Sequence, residues 1–185
     1  YVFGRSGLAT ELEAVGFRAV TVHTRRDWER FRAAPPRIAG VVVNFDISLT
    51  WWDLCGAHTA LRRGAALIAC NLDVTYPERG GTLPGSGSLV RLLETSSGRR
   101  SVLIGKPSPE MFRTLLAEHG VKPAEALVVG DRLDIDIAAG RAVGARTALV
   151  LTGVDTRRDV ARTRFKPDLV VRALPSLLKV LPPLP

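Results

Sequence analysis

Short apolar runs alternate with amphipathic segments along most of the chain, and this alternation constrains the fold more than any other feature of the sequence. Short apolar runs are typical of buried strands, whereas apolar side chains at helical spacing are typical of helices that pack on a sheet. Strands joined through helices form parallel sheets by right-handed crossovers. The sequence therefore predicts an α/β fold with largely parallel pairing and with strands at residues 18–23, 40–44, 66–70, 101–105, 126–129, 147–151 and 169–171, the last four of them in one sheet.

Two stretches interrupt the alternation. The polar segment 96–100 separates two halves of similar pattern, so we expect one unit at residues 1–100 and a second at residues 101–185. The segment 71–87 is rich in glycine and proline and has neither strand nor helix periodicity. Because a structureless stretch of this length in a compact chain is usually functional, we predict a functional loop there.

The 185 residues carry a formal net charge of +8, which is compatible with a nucleic-acid partner. The excess is spread evenly over the two halves, however, and arginine outnumbers lysine 22 to 4. The densest basic stretch, residues 25–37, also contains Asp27 and Glu29, and its Trp28 and Phe31 lie at helical spacing. That pattern is typical of a solvated amphipathic helix, and we predict no nucleic-acid partner.

Several features bear on the location of the protein. No apolar run approaches the roughly 18–20 residues that cross a bilayer, and no signal-like segment opens the sequence, so we expect no membrane partner. The two cysteines, Cys55 and Cys70, are too few for a disulfide framework and are not spaced as a metal-ligand pair, which favours the cytoplasm. Since the first residue is Tyr1 rather than Met, we expect a trimmed chain or a missing upstream part.

Three acidic residues, Asp131, Asp134 and Asp136, follow the predicted strand 126–129. Ligands of open α/β sheets bind beyond the carboxyl ends of the strands, and carboxylates at such an edge suit Mg²⁺. Helix capping is the alternative role, and it fits Asp134 and the helix-dipole position of Asp136. Asp131 precedes the helix and has no such structural role, so its interpretation as a metal ligand is favoured.

Lys106 lies in the segment Gly105–Pro109, between a predicted strand and a predicted helix. A lysine at this position can neutralise charge that opposes phosphoryl transfer when it is held near a phosphoryl group and a carboxylate. A surface lysine before a capped helix fits the sequence equally well. The residues alone therefore leave both interpretations open.

Seven segments of the chain, among them Gly105–Pro109 and Gly130–Ile137, resemble motifs of the haloacid dehalogenase (HAD) superfamily. More narrowly, they are similar to the subfamily of p-nitrophenylphosphatase, phosphoglycolate phosphatase, pyridoxal phosphatase and the NagD-type nucleotidases. In the second half, the segments that carry the resemblance are Gly105–Pro109, Gly130–Ile137 and Leu151–Val154. In the first half, the segments similar to the subfamily's large α/β cap are Val41–Asp46, Leu61–Ala65, Ala69–Asp73 and Pro84–Ser88. The resemblance covers essentially the whole chain.

The resemblance implies roles for four residues of the second half. Lys106 would hold the phosphate and the nucleophile, and Asp131 would ligate Mg²⁺. Asp136 matches the second carboxylate of the metal motif, where it would support the water shell of the metal or the loop. Arg132, in the same motif, would contribute to binding of a small-molecule phosphate ester.

For the first half, the resemblance implies a substrate-selecting cap at residues 1–100, while residues 101–185 would form the C-terminal part of a Rossmann-like core. Tyr76 would lean over the substrate from the cap loop. Asn71 and Asp73 would hold that loop and are assigned to substrate binding on this basis. Ordinary turn chemistry is the alternative role for Asn71 and Asp73, and it is favoured for both.

Residues 1–185 contain neither the family's Asp-x-Asp-Gly-Thr motif, which supplies the nucleophile, nor its second motif, which supplies a Ser or Thr. The resemblance implies that the complete enzyme hydrolyses a glycerol-phosphate, phosphoglycolate or aryl-phosphate type of monoester through an aspartyl-phosphate. The nucleophile would then be missing from this chain. The alternative is an inactive module that binds or dimerises, and relatives of the subfamily often form homodimers through their caps.

Overall fold

The computed structural model describes residues 1–4 and 6–179. The strands of this part are β1 (Val2–Phe3), β2 (Gly40–Val43), β3 (Ala66–Ala69), β4 (Thr75–Glu78), β5 (Gly81–Pro84), β6 (Ser101–Leu103), β7 (Leu127–Gly130), β8 (Arg146–Val150) and β9 (Leu169–Val171). The α-helices are α1 (Ser6–Ala14), α2 (Arg25–Ala33), α3 (Trp51–Arg62), α4 (Ser86–Ser97), α5 (Glu110–Glu118), α6 (Ala138–Ala142) and α7 (Arg157–Arg162). Short 3₁₀ helices at Pro123–Glu125 and Leu174–Lys179 and a π-helix at Leu133–Ile137 complete the described elements. The α/β class expected from the sequence is confirmed.

The chain divides into two compact units, Tyr1–Ile104 and Gly105–Pro185, and residues 180–185 of the second lie outside the described residues. The division follows Ile104 rather than the polar segment 96–100, because residues 96 and 97 belong to α4. The first unit therefore includes the strand at residues 101–103.

The first unit is built on a parallel sheet in the order β1-β2-β3-β6. Alternate residues of its strands are buried, as expected where one face of a sheet is covered by helices. Ala57, Ala60 and Leu61 of α3 and Val90 and Leu93 of α4 join the same apolar cluster. Burial of these helix faces is what fixes α3 and α4 to the sheet.

Three expectations about the first unit are wrong. Residues 18–23 form no strand. A backbone hydrogen bond from the Val2 N–H to the Val20 carbonyl connects this segment to β1. The strand at 101–103 pairs with β3, so it does not share a sheet with the strands of the second half. The stretch 71–87 is not structureless, because β4 and β5 form an antiparallel hairpin within it.

The second unit contains a parallel sheet in the order β7-β8-β9, which leaves β7 at an edge of this sheet. The π-helix follows β7 and continues into α6, where Ala138 and Ala139 are buried. Leu133 and Ile137 of the π-helix pack with Leu149 of β8 in a small apolar cluster. This packing places the segment after β7 at the carboxyl end of the sheet.

No helix among the described residues is long and apolar enough to cross a membrane.

Candidate active site

Polar side chains of the second unit meet where β7 and β8 end. Lys106 Nζ donates a hydrogen bond to Asp136 Oδ1 at 2.6 Å, and Asp136 Oδ2 accepts the Arg132 N–H at 3.1 Å. The Asp136 side chain is 8% exposed and that of Lys106 is 40% exposed. The Lys106–Asp136 pair therefore joins the Gly105–Pro109 segment to the segment that follows β7, and Lys106 keeps an open side.

The hydrogen-bond partners of Asp136 differ from those expected of a metal ligand that has a free carboxylate oxygen. Both of its carboxylate oxygens accept hydrogen bonds, one from Lys106 and one from the backbone of Arg132. Gly130 allows the close approach, since a β-carbon there would overlap the Asp136 side chain. In this structure Asp136 orients Lys106 and closes the turn after β7.

Asp131 differs from Asp136 in having an oxygen available. Its Oδ2 accepts the Val154 N–H at 2.9 Å, while Oδ1 takes no hydrogen bond from any described residue. Gly153 makes room for this carboxylate, because a β-carbon there would overlap it. A half-buried carboxylate with one oxygen held and one open fits a hard cation such as Mg²⁺.

Among the described residues, Asp131 is not part of a cluster of metal-ligating side chains. Within residues 1–4 and 6–179, no group of three or more His, Cys, Asp or Glu side chains is placed to hold a metal ion. Mg²⁺ characteristically takes one or two protein carboxylates and keeps water and substrate phosphate as its other ligands. Asp131 therefore fits as one ligand of such an ion.

Arg132 and Asp134 face each other across the same segment. The Arg132 Nε and Nη2 atoms lie 3.3 and 3.2 Å from the two carboxylate oxygens of Asp134. Asp134 is exposed, and its carboxylate is this ion-pair partner rather than the N-terminal cap expected from the sequence, since the segment enters a π-helix without a side-chain cap. A guanidinium held in this way keeps a defined orientation.

In the first unit, an aromatic side chain of the β4–β5 hairpin contacts a second aromatic residue. The Tyr76 ring on β4 is stacked on the Phe45 ring, with centroids 4.3 Å apart and planes 13° from parallel. Phe45 follows the end of β2, so the stack lies at the carboxyl end of that sheet. Sequence reasoning missed Phe45, although an aromatic residue directly after a buried strand is the signal that could have identified it.

Asn71 and Asp73 take part in turns at the base of the hairpin. The Asn71 Oδ1 atom accepts the Asp73 N–H at 3.2 Å, and the Asp73 carbonyl accepts the Gly87 N–H at 2.9 Å. These contacts agree with the turn interpretation of both residues. They hold the hairpin against the start of α4.

Cys70, which follows β3 at the same edge, is not poised as a nucleophile. Burial raises the pKa of the Cys70 thiol above its ordinary value. The reactive form of cysteine is the thiolate, and a raised pKa keeps the thiol protonated near neutral pH.

Comparison with known proteins gives consistent matches. The sequence profile of the HAD-hydrolase-like family matches residues 103–177. The chain is 36% identical to the glycerol-3-phosphate phosphatase of Gallus gallus in an alignment 202 positions long, gaps included, which covers 98% of this chain and 64% of that protein. It thus spans somewhat less than two thirds of the length of that relative.

Solved structures give the same result. The p-nitrophenyl phosphatase from Archaeoglobus fulgidus is 33% identical with a TM-score of 0.81, and the match covers 97% of this chain and 67% of that one. The glycerol phosphate phosphatase of Mycobacterium tuberculosis in complex with magnesium is 35% identical with a TM-score of 0.82. That match covers 95% of this chain and 50% of the other.

Proposed function

The chain belongs to the HAD-like hydrolases, and from this premise we propose that it carries the metal-binding and substrate-selecting parts of a magnesium-dependent phosphatase. The substrate proposed is a small phosphate monoester such as glycerol phosphate, phosphoglycolate or an aryl phosphate. The observation that supports the proposal best is the Lys106–Asp136 pair, which adjoins the open carboxylate of Asp131 through the backbone of Arg132. A cation and an available carboxylate that can hold a metal ion are the groups that stabilise charge in phosphoryl transfer.

Each of these side chains has a separate task in the proposal. Asp131 would hold the metal ion through Oδ1, since Oδ2 is engaged by Val154. Bound Mg²⁺ would supply positive charge to the phosphoryl oxygens. Lys106 has two N–H donors beyond the one bound to Asp136, and these would bind the phosphate. Asp136 would keep the ammonium group in place.

The nucleophile is proposed to be the aspartate of the family's Asp-x-Asp-Gly-Thr motif. Its carboxylate oxygen would attack phosphorus while the bond from phosphorus to the alcohol oxygen breaks, and that oxygen would take a proton from solvent. Water would then attack the acyl phosphate, which releases inorganic phosphate and regenerates the carboxylate. Residues 1–185 contain no such motif. The 185-residue chain is therefore proposed to bind metal and phosphate without turnover.

Substrate selection is proposed to lie with the stacked pair of Tyr76 and Phe45. Tyr76 is 43% exposed, so part of its ring remains open beyond the stack. An aromatic side chain in a cap favours a small or planar leaving group. The hairpin that bears Tyr76 is anchored through Asp73 and Gly87, which keeps the ring in a defined position.

The test is a chimaera that joins a relative's core segment with the Asp-x-Asp-Gly-Thr motif to this chain. We expect phosphate release from glycerol 3-phosphate that depends on added Mg²⁺, and none from the 185-residue chain alone. Lys106→Ala should abolish the activity of the chimaera, while Lys122→Ala, an exposed lysine elsewhere in the second unit, should leave it unchanged. Turnover by the unmodified 185-residue chain, lost in Lys106→Ala, would contradict the absence of a nucleophile.

A second candidate is a catalytically inactive module that binds a phosphate ester or forms a homodimer through its first unit. The absence of the nucleophile motif from residues 1–185 favours it. A chimaera that folds and binds inorganic phosphate but releases none from any of the three ester types would support this module. The homodimer, the cytoplasmic location and the absence of nucleic-acid and membrane partners stay predictions.

A further inference from the structure

Asp155, which follows β8, makes contacts that reach across to the segment after β7. Its Oδ2 atom accepts the Leu133 N–H at 2.6 Å, and its own N–H donates to the Asp131 carbonyl at 3.0 Å. The neighbouring Val154 N–H donates to Asp131 Oδ2. Three hydrogen bonds between residues 22 to 24 positions apart in sequence thus join the two loops.

The three bonds act together on Asp131. One engages its carbonyl, one engages its carboxylate, and the third fixes Leu133, whose side chain is buried in the apolar cluster with Leu149. The Leu133 N–H stands at the start of the π-helix, where no backbone carbonyl of the helix can accept it. Without Asp155 this half-buried N–H would lack its partner, and the turn that presents Asp131 would loosen.

We propose that Asp155 is a positioning residue that fixes the Asp131 carboxylate and so keeps its Oδ1 available to a divalent cation. The inference rests on the proposed function, in which Asp131 binds Mg²⁺. Asp155 is given no ligand role in this proposal, and its Oδ2 accepts the Leu133 N–H. Its effect reaches the cation only through the conformation of Asp131.

The first measurement uses the 185-residue chain without metal and follows amide hydrogen exchange by NMR. In Asp155→Ala the Leu133 amide should exchange about tenfold faster, the size expected for the loss of one such bond. Asp155→Asn should restore most of the protection, because the side-chain oxygen of asparagine can accept the same bond. An unchanged Leu133 exchange rate in Asp155→Ala would overturn the proposal.

The second measurement titrates the same variants with Mg²⁺ alone and follows the amide shifts of residues 131–136. The dissociation constant should rise roughly 10-fold or more in Asp155→Ala, the effect typical of lost partners of a metal ligand, and only slightly in Asp155→Asn. Asp159→Ala is the matched control, because it removes a nearby carboxylate that lies in the first turn of α7 and bonds Thr156 rather than the segment after β7. It should leave the Mg²⁺ affinity unchanged.

The outcomes separate the two proposals. If the unmodified chain shows no Mg²⁺-dependent shift at residues 131–136, the proposed metal role of Asp131 fails. If the unmodified chain binds Mg²⁺ and Asp155→Ala binds it equally well, the metal role stands and the positioning role of Asp155 is wrong. If Asp159→Ala weakens Mg²⁺ binding as much as Asp155→Ala does, the effect is only that of a lost negative charge, and the inference is contradicted.

Discussion

The two units of the chain are stabilised in different ways. Among the described residues, the first unit has one apolar cluster of 14 buried side chains, whereas the second has two clusters of three buried side chains each. Helix α5 of the second unit buries no residue and stands over a groove of about 430 Å³ beside β7. The unit that holds the candidate chemistry has the smaller core and relies more on hydrogen bonds between loops.

This difference indicates where substitutions should act. Burial of apolar side chains contributes most of the free energy of folding, so the first unit should lose stability when its core is cut. Polar groups at the ends of β7 and β8 contribute little apolar burial and should affect chemistry instead. Each of the following experiments compares the two units on this basis.

The largest effect is expected for Asp131→Asn in the second unit. In the active chimaera, turnover should fall roughly 10²- to 10³-fold, because a neutral amide cannot replace an anionic ligand of a divalent cation. Steady-state phosphate release gives the rate, and urea unfolding should show a change below about 1 kcal/mol. The control is Glu110→Gln, an exposed carboxylate on α5 that changes charge equally. A large loss of stability in Asp131→Asn would contradict the expectation that polar groups at the ends of β7 and β8 affect chemistry rather than stability.

The next effect is on stability in the first unit. Leu61→Ala removes a fully buried side chain of α3 and should lower the free energy of unfolding by about 2–5 kcal/mol. Leu115→Ala in α5 should change it by less than about 1 kcal/mol, because Leu115 is 45% exposed. Tryptophan fluorescence reports on the first unit, which contains all three tryptophans, and circular dichroism reports on both. Equal losses in the two variants would contradict the difference between the cores.

A smaller effect is expected at the aromatic stack of the first unit. Phe45→Leu removes a ring pair worth about 0.5–1.5 kcal/mol and should free the Tyr76 ring. In the chimaera, KM for p-nitrophenyl phosphate should rise about 2- to 10-fold with little change in kcat. Phe17→Leu, an exposed aromatic of the same unit, should change neither constant. A fall in kcat without a change in KM would show that the stack serves catalysis rather than selection.

The smallest effect concerns acid stability. The Ser101 N–H, the Ser101 hydroxyl and Arg91 hold the pKa of Glu94 in the first unit below its ordinary value. Since the folded-state pKa is lowered, Glu94 contributes stability that is complete above its ordinary pKa of about 4.3 and is lost as the pH falls through the folded value. Glu94→Gln should therefore flatten the acid limb of urea unfolding followed by tryptophan fluorescence.

In the second unit, Asp168 is the carboxyl group whose pKa is lowered in a comparable way. The hydroxyl and backbone N–H of Thr147 hold the pKa of Asp168 below its ordinary value. Asp168→Asn should flatten the acid limb seen by circular dichroism while tryptophan fluorescence is unaffected. A change in the fluorescence curve would show that the two units unfold together.

Much of the fold follows from local sequence, but strand partners do not. The apolar runs at residues 40–44, 66–70 and 147–151 coincide with β2, β3 and β8, because burial on a sheet dictates their composition. The run at 101–105 also forms a strand, yet its pairing with β3 depends on a contact between distant residues. The hairpin of β4 and β5 is mostly exposed, so no apolar alternation marks it.

The candidate site was predictable to the same extent. Asp131 could be identified because it follows a strand in an α/β pattern, where ligands bind. The residues alone left the role of Lys106 open, and only the family resemblance assigned it to the phosphate. Asp155 and Phe45 could not, since each acts through a partner far away in sequence, Leu133 in one case and Tyr76 in the other. The role of Asp136 as the partner of Lys106 likewise emerges only when the two segments meet.

Gly153 offers no functional group of its own, but any larger residue there would push aside the Asp131 carboxylate. A saturation mutagenesis survey should therefore find this position as intolerant as a metal ligand, although substitution with alanine adds only a methyl group. Engineering that introduces larger residues after β8 to gain new contacts should therefore leave Gly153 unchanged. The space beside the Asp131 carboxylate is thus a requirement on the sequence in the same way as the carboxylate itself.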